Sequence, residues 1–413
     1  MNILFISISA IPHLSEHSIS LDLLRQIKND GHNVYVVGAN ERRNHKPTTL
    51  SEEWGCQVLR VKIGNNKNTN IIEKGLSNLM LPYQYNAAIK KYFKNVRFDL
   101  VLYPTPPVTQ VGTVAFIKKR DNAKTYLLLK DIFPQNAVDI GMMTKRGLKS
   151  VIYKMFRKKE EKLYKISDYI GCMSQANVEY ILKHNPHLGL ENKIHINPNS
   201  IEIAEYQADA QKKAEVYRKY GIPATATTFI YGGNFGRPQG IPFIIECLKA
   251  NADREDRWFI LCGKGTEYKK LQAYVDEYNP KNVLLINGLP KAEYEDFVKA
   301  FDVGLIFLDH RFTIPNFPSR LLSYMQSKMP VLACTDPNTD IGQVITEGDF
   351  GWWCESNSVE RFTELVELAI RSEKKVMGEN GYEYLKKNYT SERSYQILTE
   401  TLREGAAVAH RGK

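Results

Sequence analysis

The six cysteines of this 413-residue chain form no CxxC pair and have no histidine cluster beside them. Cys56, Cys172, Cys247, Cys262, Cys334 and Cys354 fall mostly in apolar runs. That argues against a zinc or disulfide framework and for reduced core thiols in a cytoplasmic protein. No apolar run approaches the roughly 20 residues that a membrane-spanning helix needs. The opening MNILFISISA lacks a basic start and a small-residue cleavage site, so it reads as a first buried strand and not as a signal peptide. There is no internal repeat and no low-complexity segment. RNA-binding signatures of the RRM or KH type are missing, as is a basic helix-turn-helix, which speaks against a nucleic-acid partner. No carboxylate cluster marks a magnesium site, so neither a metal nor a cofactor is expected.

What is present is a soluble composition, 43% hydrophobic and 25% charged, on a chain too long for one ordinary core. Apolar runs alternate with amphipathic ones. NILFISIS, NVYVVGAN, DLVLYPTP, KTYLLLKD and DYIGCMS read as strands in the first half, and TTFIYGG, RWFILCG, NVLLINGL, FDVGLIFL and MPVLACTD in the second. Helical stretches separate them, among them SISLDLLRQIKNDGH with its glycine stop. The expectation is an α/β protein of two doubly wound, Rossmann-like domains facing across a cleft. Residues 1–200 would form the first and 201–385 the second, with a last helix over 386–413 packing back on the first. Ligands of such sheets bind at the carboxyl ends of the strands, so the informative residues should stand there.

Several do. IYGGNFGRPQG follows a strand. Gly233 and Gly236 would let the backbone approach a ligand, Asn234 can donate from its amide, and Arg237 adds a cation. In FILCGKGTEYKKL, Lys264 sits on a glycine corner within reach of a phosphate. In HRFTIPNFPSRLLSYMQSKMPVLA, Pro315 and Pro318 hold a loop extended, Ser319 is a candidate N-cap, and Arg320 opens a helix. A helix start with free N–H groups and an arginine suits a diphosphate. In LLLKDIFPQNAVDIG, Asp131 ends a strand and reads either as a catalytic group or as the cap of the next helix. The first loop, SAIPHLSEHSIS, offers His13, Ser15 and His17.

Taken in order along the chain, DIFPQNAVDIG, IHINPNSIE, NGLPKAEYEDFVKAFDVGLIFL and PSRLLSYMQSKMPVLA resemble segments of the GT-B-fold retaining glycosyltransferases of family 4. The branch resembled is the bacterial one that builds capsules and O-antigens and includes fucosamine-transferase-like enzymes. The resemblance covers nearly the whole chain. It implies donor contacts from Gly233, Asn234, Gly236, Arg237, Gln239, Lys264, Asn316, Phe317, Ser319 and Ser323. It implies catalytic roles for Asp131, Lys130 and Arg320, with Asp131 orienting the acceptor hydroxyl or acting as its base, and acceptor contacts from His13, Ser15 and His17. The chain also departs from the pattern. The family's two glutamates fall on Pro315 and Ser323, which leaves Asp309 as a stand-in for gripping the ribose. The family's usual arginine and lysine in the first loop fall on Asn234 and Gln239.

The net charge is +10, and Thr144 to Lys165 holds nine Lys/Arg against two Glu, with Met155, Phe156, Leu163 and Tyr164 interleaved. This suits an anionic membrane surface; the other reading is a solvated helix face with its apolar residues packed inward. Together these readings describe a cytoplasmic transferase, peripheral on the inner face of the plasma membrane. It would move a sugar, an N-acetylated amino sugar among the candidates, from a nucleotide donor of the UDP-sugar type, with retention onto a lipid-diphosphate-linked acceptor in surface-polysaccharide synthesis. The alternatives are a nucleotide-sugar 2-epimerase-like enzyme and a non-catalytic transferase-like scaffold.

Overall fold

The computed structural model describes residues 1–11, 13–66, 69, 71–206 and 209–411. The chain divides into two compact units, Met1–Glu202 with Thr390–Lys413, and Ile203–Tyr389.

The first unit runs β1 (Asn2–Ile6), α1 (Ile19–Asn29), β2 (Asn33–Glu41), β3 (Thr49–Glu53), β4 (Cys56–Ile63), α2 (Ile71–Tyr92), β5 (Leu100–Thr105), α3 (Val111–Asp121), β6 (Lys124–Leu129), α4 (Gln135–Asp139), α5 (Ser150–Ile166), β7 (Tyr169–Cys172), α6 (Gln175–His184) and β8 (Ile194–Ile196). Its sheet has the order β3-β4-β2-β1-β5-β6-β7-β8 and is parallel except for β3. The strands are near-continuous apolar runs because both faces are covered, as a parallel sheet requires. Helix α1 shows how locally consistent the sequence is. The Ser18 hydroxyl accepts from the Leu21 N–H at 3.3 Å, the Leu21/Leu24 stripe is buried, and Gly31 leaves the helix at φ +83°.

The second unit runs α7 (Ala210–Tyr220), β9 (Thr227–Asn234), α8 (Ile241–Ala250), β10 (Arg257–Lys264), α9 (Tyr268–Tyr278), β11 (Val283–Ile286), α10 (Lys291–Val298), β12 (Val303–Phe307), α11 (Arg320–Gln326), β13 (Val331–Thr335), α12 (Ile341–Glu347), β14 (Gly351–Glu355), α13 (Val359–Arg371) and α14 (Lys374–Asn388). Its sheet has the order β11-β10-β9-β12-β13-β14 and is parallel throughout. Strand order reverses between β1 and β5 in one unit and between β9 and β12 in the other. A doubly wound sheet opens a binding crevice at such a point.

The expected α/β class with two Rossmann-like sheets is what the chain forms. The ten expected strands are present; β3, β4, β8 and β14 are additional. All six cysteines are buried and unbridged. Among the described residues no helix is long and apolar enough to cross a membrane.

The last helix, α15 (Ser391–Arg411), belongs to the first unit. It packs along α1, and Leu398 is fully enclosed in that unit's core. Its polar side is tied in too: the Ser394 hydroxyl donates to Asn197 Oδ1 at 2.6 Å, and the Ser391 N–H to the Ile201 carbonyl at 2.9 Å. Leu398→Ala should therefore destabilise the first unit by about 3 kcal/mol and leave the second unchanged. Urea unfolding followed by hydrogen exchange in each unit checks this.

Candidate functional site

The crevice of the second unit begins where β9 ends. The backbones of β9 and β10 approach so closely there that a Cβ on Gly263 would overlap the Gly233 carbonyl oxygen, and one on Gly265 the Phe235 carbonyl. Gly233 itself has φ +130°, which excludes other L-residues. Gly236 is extended and needs no glycine for its φ. The turn that follows closes on itself. Gln239 Oε1 accepts from the Gly236 N–H at 3.0 Å and from Asn234 Nδ2 at 3.1 Å. Asn234 and Gln239 thus brace one another, while Gly233, Asn234 and Arg237 remain exposed. Lys264, also exposed, is the register partner of Asn234, and its aliphatic stem lies on Gly288.

Beneath this turn stands Arg320. Its guanidinium lies 4.1 Å from the centre of the Tyr231 ring, and a Cβ on Gly233 would come within 2.9 Å of its Nη2. Tyr324 and Tyr294 complete the surround. The Tyr324 hydroxyl donates to the Ile230 or Leu305 carbonyl, at 3.1 and 3.2 Å, and accepts from the Gly232 N–H at 3.3 Å. The Tyr294 hydroxyl fills the space that a Cβ on Gly232 would need. Burial pushes all three phenols up, Tyr324 to about 12, so they stay neutral. Burial pulls the Arg320 guanidinium down, yet the tyrosine oxygens around it hold it above its ordinary value. It pairs with no carboxylate among the described residues, and its Nη1 is buried without a hydrogen-bond partner. A charged donor in that state can take an anion as its partner.

The loop that leads to Arg320 corrects several expectations. Asp309 is not free to grip a ribose. Arg311 takes both its oxygens, Nε at 2.8 Å and Nη2 at 2.7 Å, and outweighs burial in holding the carboxyl below its usual range. Phe317 is a core residue, 4% exposed, with its ring 6.0 Å from that of Tyr389. Ser319 has helical dihedrals and its side chain caps nothing, so it is not a capping residue. Helix α11 is only seven residues long, so the site rests on its arginine and not on its N-terminus. Asn316 is half-buried, its carbonyl accepting from the Thr339 hydroxyl, and Ser323 is half-buried on α11.

The turn after β13 carries further residues that no sequence motif singles out. Asn338 Nδ2 donates to the Phe312 carbonyl at 2.6 Å and, with Thr339, fixes the loop that delivers Arg320. Asp336 starts this turn, accepting from the Asn338 and Thr339 N–H groups at 2.9 and 3.2 Å, and burial raises its carboxyl to about 7. The only signal was the Asp-Pro-Asn of TDPNTD.

In the first unit the β1/β5 reversal holds a cavity of about 660 Å³, lined among others by Ile8, Ala10, Pro107, Phe133 and Phe156. Asp131 and Lys130 follow β6. Asp131 is not the cap of α4, whose cap position is Pro134. Its carboxylate accepts from the Ile132 N–H at 2.7 Å and from Asn136 Nδ2 at 2.6 Å, and burial raises it to about 6 despite these bonds. Lys130 Nζ turns to the Pro198 and Asn197 carbonyls at 3.3 and 3.5 Å, and burial lowers it to about 7.

In the first loop, His13 Nδ1 meets Ser15 Oγ at 2.8 Å, and both residues are exposed. His17 lies 3.1 Å from Arg25. Arg25 also donates to the Leu14 and Glu16 carbonyls at 2.7 and 2.8 Å, so it sets the loop's path. His17, Asp22 and Glu202 are close enough together to hold a metal ion, but the Arg25 guanidinium already stands among them, 2.8 Å from Glu202.

Two doubly wound α/β units, each with its strand-order reversal, are the units of the GT-B fold, which the solved structures named below share with this chain. Residues 212–384, within the second unit, match the family described as "Glycosyl transferases group 1". Over 332 residues, 79% of either chain, the protein is 24% identical to the probable glycosyltransferase WbjE of Pseudomonas aeruginosa. Among solved structures it is similar to sucrose-phosphate synthase of Thermosynechococcus elongatus, with TM-score 0.75 and 14% identity over 99% of this chain and 100% of that one. It is also similar to Anabaena Alr3699/HepE in complex with UDP-glucose, with TM-score 0.67 and 15% identity over 98% and 100%.

Lys130 makes a measurable prediction about stability. Its folded value lies below that of an unfolded lysine, so between about pH 7 and the ordinary lysine range the unfolded chain binds more protons. Stability should rise with pH across that window. Lys130→Met should raise the melting temperature at pH 7 and flatten the rise, as calorimetry across pH would show.

Proposed function

We propose that this protein transfers a sugar from a nucleotide-sugar donor held by the second unit to an acceptor received by the first. The observation that carries the reading is Arg320, half-buried, its guanidinium packed on the neutral Tyr231 ring with Nη1 buried and unpartnered, close under the exposed backbone of Gly233. The leaving nucleoside diphosphate is the anion that completes it. The group 1 match supports the transferase class, and the HepE complex contains UDP-glucose in that relative.

In this reading Arg320 stabilises the charge that develops on the diphosphate, inside a site with little water to screen it. Arg237 and Lys264 add exposed positive charge, and the turn contributes backbone N–H groups. The positive charge comes from the chain itself, so the reading calls for no metal ion and no cofactor. Asn234, Gly236, Gln239, Asn316 and Ser323 shape the donor pocket around them. Asp131, raised to about 6, is ionised at neutral pH and basic enough to take the proton of an acceptor hydroxyl. His13, Ser15 and His17 offer polar contacts to that acceptor. The donor is a UDP-sugar, an N-acetylated amino sugar among the candidates, and the anomeric configuration is retained. The acceptor is a lipid-diphosphate-linked sugar of a bacterial surface polysaccharide. The protein works at the cytoplasmic face of the membrane.

Arg320→Ala should lower turnover on the order of a hundred- to a thousandfold while circular dichroism and the melting temperature show an intact fold. Slow release of UDP from donor alone, in the absence of acceptor, is a sufficient readout. Near-normal release from the variant would remove Arg320 from the mechanism.

A further inference from the structure

Two apolar stripes of the first unit face solvent. On α2, Leu76, Leu79, Met80 and Tyr83 are 61%, 57%, 45% and 71% exposed, while Leu81, Tyr85 and Ile89 on the opposite side are fully buried. Just ahead of and within the start of α5, Leu148, Val151, Ile152 and Met155 are 95%, 67%, 51% and 42% exposed. Both sets follow the same i, i+3, i+4, i+7 spacing, one face of a helix in each case. Both helices pack on the turn Val108–Gln110 and on α3, and both line the cavity of this unit, through Asn78 and Phe156.

The basic residues lie on α5 and the loop that leads into it. Lys145, Arg146, Lys149, Lys154, Lys158, Lys162 and Lys165 are exposed. The two acids of the segment, Glu160 and Glu161, are taken up by Arg157 at 2.7 and 3.4 Å, so they do not offset the exposed cations. Leu163 and Tyr164 are buried. The inward-packing reading of this segment therefore holds for its C-terminal half and fails for its start.

We propose that α2 and the start of α5 form a docking platform for an anionic phospholipid bilayer. The two stripes enter the boundary between headgroups and acyl chains, and the lysines hold the anionic headgroups. Isolated apolar side chains on a surface need no explanation, but two contiguous helical stripes do. A second copy of the chain fits this surface poorly, because a two-fold pairing sets the basic segment against itself. The proposal deepens the lipid-linked-acceptor reading and rests on it for its purpose, while binding itself needs neither donor nor turnover.

The test is co-sedimentation of the full chain with vesicles of pure phosphatidylcholine and of equal parts phosphatidylcholine and phosphatidylglycerol. Binding is expected to the anionic vesicles only, and to weaken with salt. Replacing Lys154, Lys158 and Lys162 by Ser should weaken it on the order of a hundredfold. The double variant Leu79→Glu, Ile152→Glu should weaken it by tenfold or more with an unchanged melting temperature, since both residues are exposed. The proposal is overturned by absence of binding to anionic vesicles, by wild-type binding in both variants, or by a concentration-dependent dimer that protects these stripes. UDP release measured without vesicles keeps the two readings apart: intact release with no vesicle binding sinks the platform alone.

Discussion

The close approach of two backbones at the end of β9 and β10 governs the second unit. With no room for a side chain on Gly263 or Gly265, and with Gly233 held at positive φ, the strands run on to their last residues before turning. That leaves the Gly233 peptide exposed above Arg320. An acid in the place of Tyr231 or Tyr294 would pair with the guanidinium and cancel its charge. Tyrosine instead supplies a ring face, worth about 0.5–2 kcal/mol to a cation, and the charge stays available. A buried charge without a full partner is costly, so such an arrangement persists where a ligand completes it.

The fold class was legible because a parallel sheet buried on both faces writes itself as apolar runs separated by amphipathic ones. The missed strands lacked that signature. β3 and β4 form an antiparallel hairpin at the sheet's edge, turning through Trp54 and Gly55, both at positive φ. A Trp-Gly pair does not announce a hairpin as Asn-Gly does. β14, GWWCE, is five residues long and packs beside β13 within a helix-rich stretch.

The site was legible only in part. Arg320 could be read from its motif, but its surround could not, since Tyr231, Tyr294 and Tyr324 come from β9, α10 and α11. Phe317 and Asp309 show the opposite error. The motif implies donor contacts for both, yet one side chain turns inward to Tyr389 and the other is captured by Arg311 two residues on. Motif position gives the path of the backbone and leaves side-chain direction open. The same holds for α5, where charge counting found the basic segment and could not separate its exposed apolar start from its buried end.

The two units put different chemistry at equivalent places. In the second, the strand-order reversal holds an arginine kept charged among neutral phenols. In the first it holds a cavity of mixed lining, with Phe133 and Phe156 on one hand and Glu41, Arg43 and Asn78 on the other. A short way along the sheet stand an aspartate and a lysine, neighbours in sequence, that do not pair with each other. Each is desolvated separately, and desolvation moves an acid up and a base down. Asp131 and Lys130 are thereby brought to about 6 and about 7, whereas a mutual salt bridge would have driven their values apart. Keeping them on separate partners, a backbone N–H and Asn136 for one and two carbonyls for the other, leaves both able to exchange a proton near neutral pH. The first unit thus carries an acid and a base that both titrate near neutrality close to its cavity, and the second a charged arginine without a carboxylate partner.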